Sequence, residues 1–234
     1  MHTDTSTTYA SLFELGQVLF GVAGSLLYHD PTSPVIDELI AERDTLLDPT
    51  LQALLPTGSM ALYDALAGLA DLTVQRSLLL QDFTALFIQR TTSKVYPWES
   101  VYTTHDHTLF GPSALEVQSI YDSFDISLGA SAHEPLDHIG LELMFLSILS
   151  QKGIDALTQE EETHMGGALP RALSQGDEAA RLAQTIHDFL AQHILVFAFD
   201  FLDTLESKAQ TGYYHAVCTF TRETLSWAQQ AFSR

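Results

Sequence analysis

Glu134-Pro135-Leu136-Asp137-His138-Ile139-Gly140-Leu141-Glu142-Leu143-Met144-Phe145-Leu146 is the stretch on which the reading of this chain turns. Pro135 suits the first position of a helix, where a missing N–H costs nothing. Glu134 and Asp137 then fall in or beside the first turn, where the helix dipole favours carboxylates. From Ile139 to Leu149 the segment is apolar nearly all round, and such a helix belongs in the middle of a helical protein. The expectation is a core helix over 134–152 with acid, imidazole and acid at its mouth. The Asp-His pair also reads as a simple N-terminal capping arrangement.

Helical spacing continues on both sides. Leu12, Leu15, Leu19, Val22 and Leu26 mark a helix from Tyr9 to Tyr28, in which Gly16, Gly21 and Gly24 allow close packing. Residues 1–8 read as a frayed end. Ser33-Pro34 and Asp48-Pro49 each supply a cap followed by proline at the first helical position. Met60–Val74 and Leu78–Ile88 are further helices. Thr91–Thr108 breaks the pattern with an irregular aromatic loop containing Tyr96, Trp98, Glu99 and Tyr102. A loop of that length in a compact domain is usually functional or disordered, and its aromatics argue against disorder. Gly111-Pro112 opens another helix, and Asp125–His133 reads as a hinge. Thr158 is expected to cap a new helix, interrupted at Gly166-Gly167. Helical patterns follow from Gly176-Asp177 to Leu190 and from Tyr213 to Phe232. No segment alternates as a strand does. The expected fold is all-α, about ten helices in two closely packed subdomains, 1–125 and 126–234.

The net charge is −20, and it arises from scarce bases, with only three lysines. The deficit is even: residues 1–120 carry 14 acids and 4 bases, residues 121–234 carry 16 and 6. Such a protein repels nucleic acid and anionic lipid and attracts basic ligands. The single cysteine, Cys218, excludes an intramolecular disulfide and reads as a buried bystander. There is no basic leader, and charge or glycine breaks the apolar runs, so neither a signal peptide nor a membrane span is expected. A cytoplasmic location follows.

No G-x-x-x-x-G-K-[ST] or G-x-G-x-x-G nucleotide cradle and no G-x-S-x-G elbow occur. His105-Asp106-His107 and Asp137-His138, with Glu142 one turn beyond His138, carry imidazole and carboxylate, the ligands of a hydrolytic metal site. They resemble the doublets of HD phosphohydrolases, although no spacing specifies the remaining ligands. Tyr96, Trp98, Tyr102 and Phe110 with Glu99 instead suit a groove for a ligand part apolar and part cationic. Trp98 also reads as a plug between helices. A helical adaptor with another partner is a third alternative.

Two stretches together decide among these. Tyr96-Pro97-Trp98-Glu99-Ser100-Val101-Tyr102 resembles the P-x-E-S-x-Y signature of the TorD-like maturation chaperones, the family that includes DmsD and NarJ. Glu134-Pro135-Leu136-Asp137-His138 resembles their E-P-x-D-H signature, and Asp82–Phe87 their acidic-aromatic lead-in. Where the family often has a Trp and a Pro shortly after the equivalent of His193, this chain has Phe197 and Phe199. The resemblance implies a cytoplasmic, system-specific chaperone, with no catalytic residues, metal or cofactor of its own. It would bind the twin-arginine signal peptide or another part of a molybdopterin-dependent oxidoreductase precursor, assisting cofactor insertion and export proofreading. The residues carried over as peptide-binding are Trp98, Glu99, Tyr102, Glu134, Pro135, Asp137 and His138. Their carboxylates would pair guanidiniums and their aromatics would pack apolar side chains. Nucleic acid and stable membrane insertion are not expected. The oligomeric state expected is a monomer or a domain-swapped dimer exchanging at 125–133.

Overall fold

The structure, a computed structural model, describes residues 3–70, 73–89, 94–127, 135–166 and 175–233. In chain order its helices are α1 (Thr3–Tyr28), α2 (Pro34–Ala41), α3 (Pro49–Leu54), α4 (Gly58–Ala70), α5 (Thr73–Phe83), α6 (Glu99–Thr103), α7 (Pro112–Ser123), α8 (Ile139–Gly166), α9 (Gln175–Phe189), α10 (Ala198–Lys208) and α11 (Gly212–Ala231). A 3₁₀ turn spans Arg43–Leu47, and π-helical turns end α5 and α9 at Thr84–Ile88 and Leu190–Ile194. Among the described residues the single β-type contact is an isolated antiparallel bridge between Trp98 and His138.

The central feature is an antiparallel seam between α1 and α8, made possible by small residues. A Cβ on Gly24 would stand 2.8 Å from the Gly140 carbonyl oxygen, and one on Gly140 would stand 2.9 Å from that of Gly24. Further along, Ser147 Oγ donates to the Gln17 carbonyl at 2.7 Å, Gly16 faces Ser150, and Gly153 faces the ring of Phe13. Backbones this close exclude water and leave Phe13, Leu19 and Phe20 fully buried beside the fully buried Phe145 and Leu146. α1 also packs on α11, which packs on α4, so helices from both expected subdomains share one hydrophobic cluster.

Local caps form as the sequence indicates. Ser33 Oγ accepts from Val35 N, and Asp48 Oδ1 accepts from Thr50 N at 2.8 Å. Other helix entries are held by carboxylates far away in sequence. Glu223 of α11 accepts from Gly58 N at 2.8 Å, holding the start of α4. Asp82 Oδ2 accepts from Gln210 N, Thr211 N and Thr211 Oγ1, holding the chain as it enters α11.

Several expectations are corrected. The core helix does not start at Pro135; α8 begins at Ile139, and Pro135–His138 precedes it. It also runs past 152 to Gly166, because Gly153 is a packing position under Phe13 and not a stop. Thr158 therefore caps nothing; its hydroxyl bonds back to the Ile154 carbonyl inside the helix. The aromatic loop contains a helix, α6. Helix α1 begins at Thr3, and its Tyr9–Tyr28 portion is long and apolar enough to cross a membrane, contrary to the expectation from its glycines. Here that portion lies packed along α8 and α11. Of the expected hinge, 128–133 lie outside the described residues, as do Glu134 and Gly167.

The seam predicts a graded glycine scan. Gly140→Ala should destabilise by about 1–3 kcal/mol, because both close neighbours include backbone. Gly212→Ala, which meets nothing within 4 Å, should be neutral or slightly stabilising. Urea unfolding of the two variants beside the parent measures the difference.

Candidate functional site

The two motif segments are brought together although 34 residues of chain lie between Glu99 and Glu134. Glu99 N donates to the Asp137 carbonyl at 2.9 Å, and Ile139 N donates to the Pro97 carbonyl at 2.8 Å. These bonds flank the Trp98–His138 bridge and lay Pro97–Thr103 as a strap across the start of α8.

Asp137 locks the strap. Its Oδ2 accepts from Ser100 N at 2.7 Å and from Ser113 Oγ at 3.2 Å. The carboxylate thus caps the first turn of α6 and ties α7 to it, while Trp98, the residue at the N-cap position, provides no side-chain cap. Asp137 serves another helix rather than the one it precedes.

His138 serves its own helix. Its carbonyl accepts from Glu142 N at 3.0 Å, and Gly140 N donates to His138 Nδ1 at 3.0 Å. Nδ1 is therefore the lone-pair nitrogen and the proton resides on Nε2. Tyr28 and Trp98 both meet the imidazole at right angles, with ring centroids 5.2 and 5.7 Å away. Burial pushes its pKa down to about 3, so it is neutral near pH 7. The capping reading of this histidine fits the geometry, and among the described residues no carboxylate is hydrogen-bonded to its ring.

That task falls to His193, whose Nδ1 lies 3.1 Å from Glu99 Oε2. The π-helical turn at Leu190–Ile194 carries this histidine, and both partners are buried. Burial raises the Glu99 carboxyl above its ordinary value, and the His193 contact opposes that rise. Beneath the strap lies Glu142, fully buried, with neither oxygen hydrogen-bonded among the described residues. Burial lifts its pKa well above the ordinary carboxylate range, and repulsion from Glu99 and Asp137 adds to the rise. Tyr121 of α7 faces the same carboxylates and donates to the Leu136 carbonyl at 3.4 Å.

Of the sequence-derived site residues, Pro135, Asp137, His138 and Glu99 are buried at this junction, while Trp98 and Tyr102 are half-buried. Tyr102 packs on Phe197, with centroids 5.5 Å apart. On either side of them in the sequence Tyr96, Leu109 and Phe110 are exposed, and Phe110 is held in the left-handed region at φ 61°. Glu134 lies outside the described residues. Sequence reasoning gave no role to His193, Ser113 or Tyr121. The signals it did offer were a histidine inside an apolar run and a lone acid, Glu142, within the apolar stretch Ile139–Leu149.

The metal-site reading is not supported by placement. His105 is fully exposed, its Nδ1 3.2 Å from Asp106 Oδ1, and His107 Nδ1 lies 2.7 Å from the Val101 carbonyl. His138 is buried and capping. Among the described residues no three His, Cys, Asp or Glu side chains are placed to hold a metal. Cys218 is buried and its thiol is pushed up to about 12 by that burial, so it offers no thiolate near pH 7.

Fold and site together define an all-helical protein whose two sequence motifs meet in one buried, acid-lined junction. The chain belongs to the nitrate reductase delta subunit family, whose profile matches residues 48–203. It is similar to a probable Tat proofreading chaperone DmsD of Haemophilus influenzae, at 26% identity over 147 residues, covering 63% of this chain and 58% of that protein. It is also similar to the chaperone protein TorD of Vibrio parahaemolyticus, at 25% identity over 157 residues, covering 67% and 65%. The TorD of Vibrio vulnificus matches at 29% over 105 residues, covering 45% of this chain and 47% of its own length. The chain thus spans less than two thirds of these relatives.

Two predictions follow from the junction. Asp137→Ala leaves the Ser100 amide and the Ser113 hydroxyl without their acceptor in a dry interior, each costing about 1–3 kcal/mol. Denaturant unfolding should show a loss in that range or larger. His138 stays neutral in the folded state while the unfolded state takes up a proton near pH 6.5. Its contribution is therefore complete above that pH and declines as pH falls toward about 3. His138→Asn, a cap that does not titrate, should remove up to about 1.4 kcal/mol of acid loss per pH unit. Urea midpoints of both proteins across that interval measure it.

Proposed function

We propose that this protein is a system-specific chaperone for a molybdopterin-dependent oxidoreductase, not an enzyme. It binds the precursor's twin-arginine signal peptide or another part of the apoenzyme, and so assists folding, cofactor insertion and export proofreading in the cytoplasm. Family membership and the names of the similar proteins support the class of activity. The observation that carries the site is the strap itself. Its inner side is pinned by Glu99 and Asp137, and its half-buried aromatics are flanked in the sequence by exposed ones.

In this reading Trp98 and Tyr102 meet the apolar part of the peptide, extended by Tyr96, Leu109 and Phe110. Glu99, Pro135, Asp137 and His138 belong to the site by holding that surface in place. Glu134 is the proposed guanidinium partner from its place in the motif. A net charge of −20 draws a basic peptide in and makes the encounter salt-dependent. The protein acts as a monomer or a domain-swapped dimer, and neither nucleic acid nor a metal takes part.

Isothermal titration with a twin-arginine signal peptide tests this. Saturable binding should weaken at least about tenfold in Trp98→Ala or Tyr102→Ala, because interface aromatics dominate binding energy. It should weaken with salt and with a twin-lysine peptide, which lacks the guanidinium fork. Binding that ignores both aromatic variants would sink the proposed surface. No binding to signal peptide or apoenzyme would sink the chaperone reading in favour of another helical adaptor.

A further inference from the structure

The junction holds more acid than its neighbours can neutralise. Glu99 reaches it from α6, Asp137 from the segment before α8, and Glu142 from α8 itself; all three are buried. Asp137 has backbone and hydroxyl donors, and Glu99 has His193. Glu142 has no donor at either oxygen among the described residues. The other titratable groups facing the cluster are Tyr121 and, acting on Glu99, Glu116, both from α7. The capping imidazole of His138 adds no positive charge near pH 7. Among the described residues His193 is thus the one base bonded to any of the three carboxylates. Three buried negative charges against at most one positive charge is an unfavourable state, because an unpaired buried charge is very costly. The simplest relief is one proton in the Glu142–Glu99 pair, carried by Glu142, which lacks other donors among the described residues and gives that proton to its side-chain contact with Glu99.

We propose that Glu142 is a proton-operated latch: carrying its proton, it lets the Pro97–Thr103 strap seat on the start of α8, and on losing it, it drives the strap off. Deprotonation places a third negative charge under a strap held by two backbone bonds, the Asp137 cap and the Glu99–His193 contact. Lifting the strap admits water to all three acids. A cavity of about 250 Å³ between α7 and α9, lined by Ile120, Phe124, Asp188, Phe189 and His193, reaches the His193–Glu99 pair, and the side-chain contact of Glu99 with Glu142 continues the path to the latch.

The direction of the pH effect is fixed. Glu142 titrates above its ordinary range when buried and within it when exposed. The closed strap is therefore fully favoured below the ordinary carboxylate pKa and loses that advantage as pH rises through the buried value. This is opposite in sign to the acid loss at His138. The latch is a property of the unliganded chain and does not rest on the peptide-binding reading.

Two measurements on the full chain test it. Infrared spectra of protein with carbon-13 glutamate should show a buried carboxylic-acid band that disappears in Glu142→Gln. Hydrogen exchange of the two amides that bond the strap to the start of α8, those of Glu99 and Ile139, corrected for intrinsic chemistry, should show opening that steepens with alkaline pH. One linked proton gives a limit of about tenfold per pH unit. Glu142→Gln, permanently neutral and nearly isosteric, should make that opening independent of pH, while His193→Gln should retain the slope. Absence of the acid band overturns the proposal. So does a slope that survives in Glu142→Gln, or one that vanishes only in His193→Gln. Should Glu142→Gln fail to fold, wild-type titration decides: the band and strap protection must decline together, and independent decline overturns the latch.

Discussion

The close approach of α1 and α8 at Gly24 and Gly140 is the constraint on which the rest depends. No side chain fits between these backbones, so the start of α8 is fixed against the end of α1. That places Tyr28 edge-on to His138 and leaves the Gly140 amide free to donate to the imidazole. The strap then has a rigid edge to pair with. A bulkier residue at either glycine would move the junction as well as loosen a helix pair.

The chain uses its abundant carboxylates structurally as well as for surface charge. Glu223, Asp82 and Asp137 each hold a helix entry that lies remote in sequence. Such bonds are charge-assisted and therefore stronger than neutral ones. They also explain how an acidic protein tolerates buried acids: backbone N–H groups, not lysines, neutralise much of the charge. Glu142 is the exception among the acids at the junction, and its lack of donors among the described residues makes that place sensitive to protons. His138 and Glu142, four residues apart, load it in opposite directions, one yielding in acid and one in alkali.

Features written locally were legible. Ser33-Pro34 and Asp48-Pro49 start helices as their side chains dictate, and the apolar spacing of Tyr9–Tyr28 gives α1 and its close-packing glycines. The two motifs could be recognised as residues of one site. How they meet could not, because a bridge between Trp98 and His138 depends on pairing across a long separation. Pro135 misled for the same reason. Its fixed φ suits a helix start, yet it equally suits the extended approach to a bridge, and tertiary bonds chose the latter. A helix ending at 152 and a cap at Thr158 are what the local pattern suggests until Phe13 is seen lying against Gly153. The importance of His193 depended on Glu99 being opposite it, which no local pattern encodes.

The carboxylate of Glu223 also sets the order in which the molecule can be completed. The amide of Gly58 waits for an acceptor 165 residues further along the chain. At synthesis rates of roughly 5–20 residues per second, that interval is on the order of ten seconds or more. During it, α4 has neither its cap nor the α11 surface that it packs against. The α1 seam likewise stays open until α8 emerges. Closure of the bundle is therefore a late event that draws early and late segments together at once. A nascent chain of this protein must keep its own apolar helices from straying before the last one arrives.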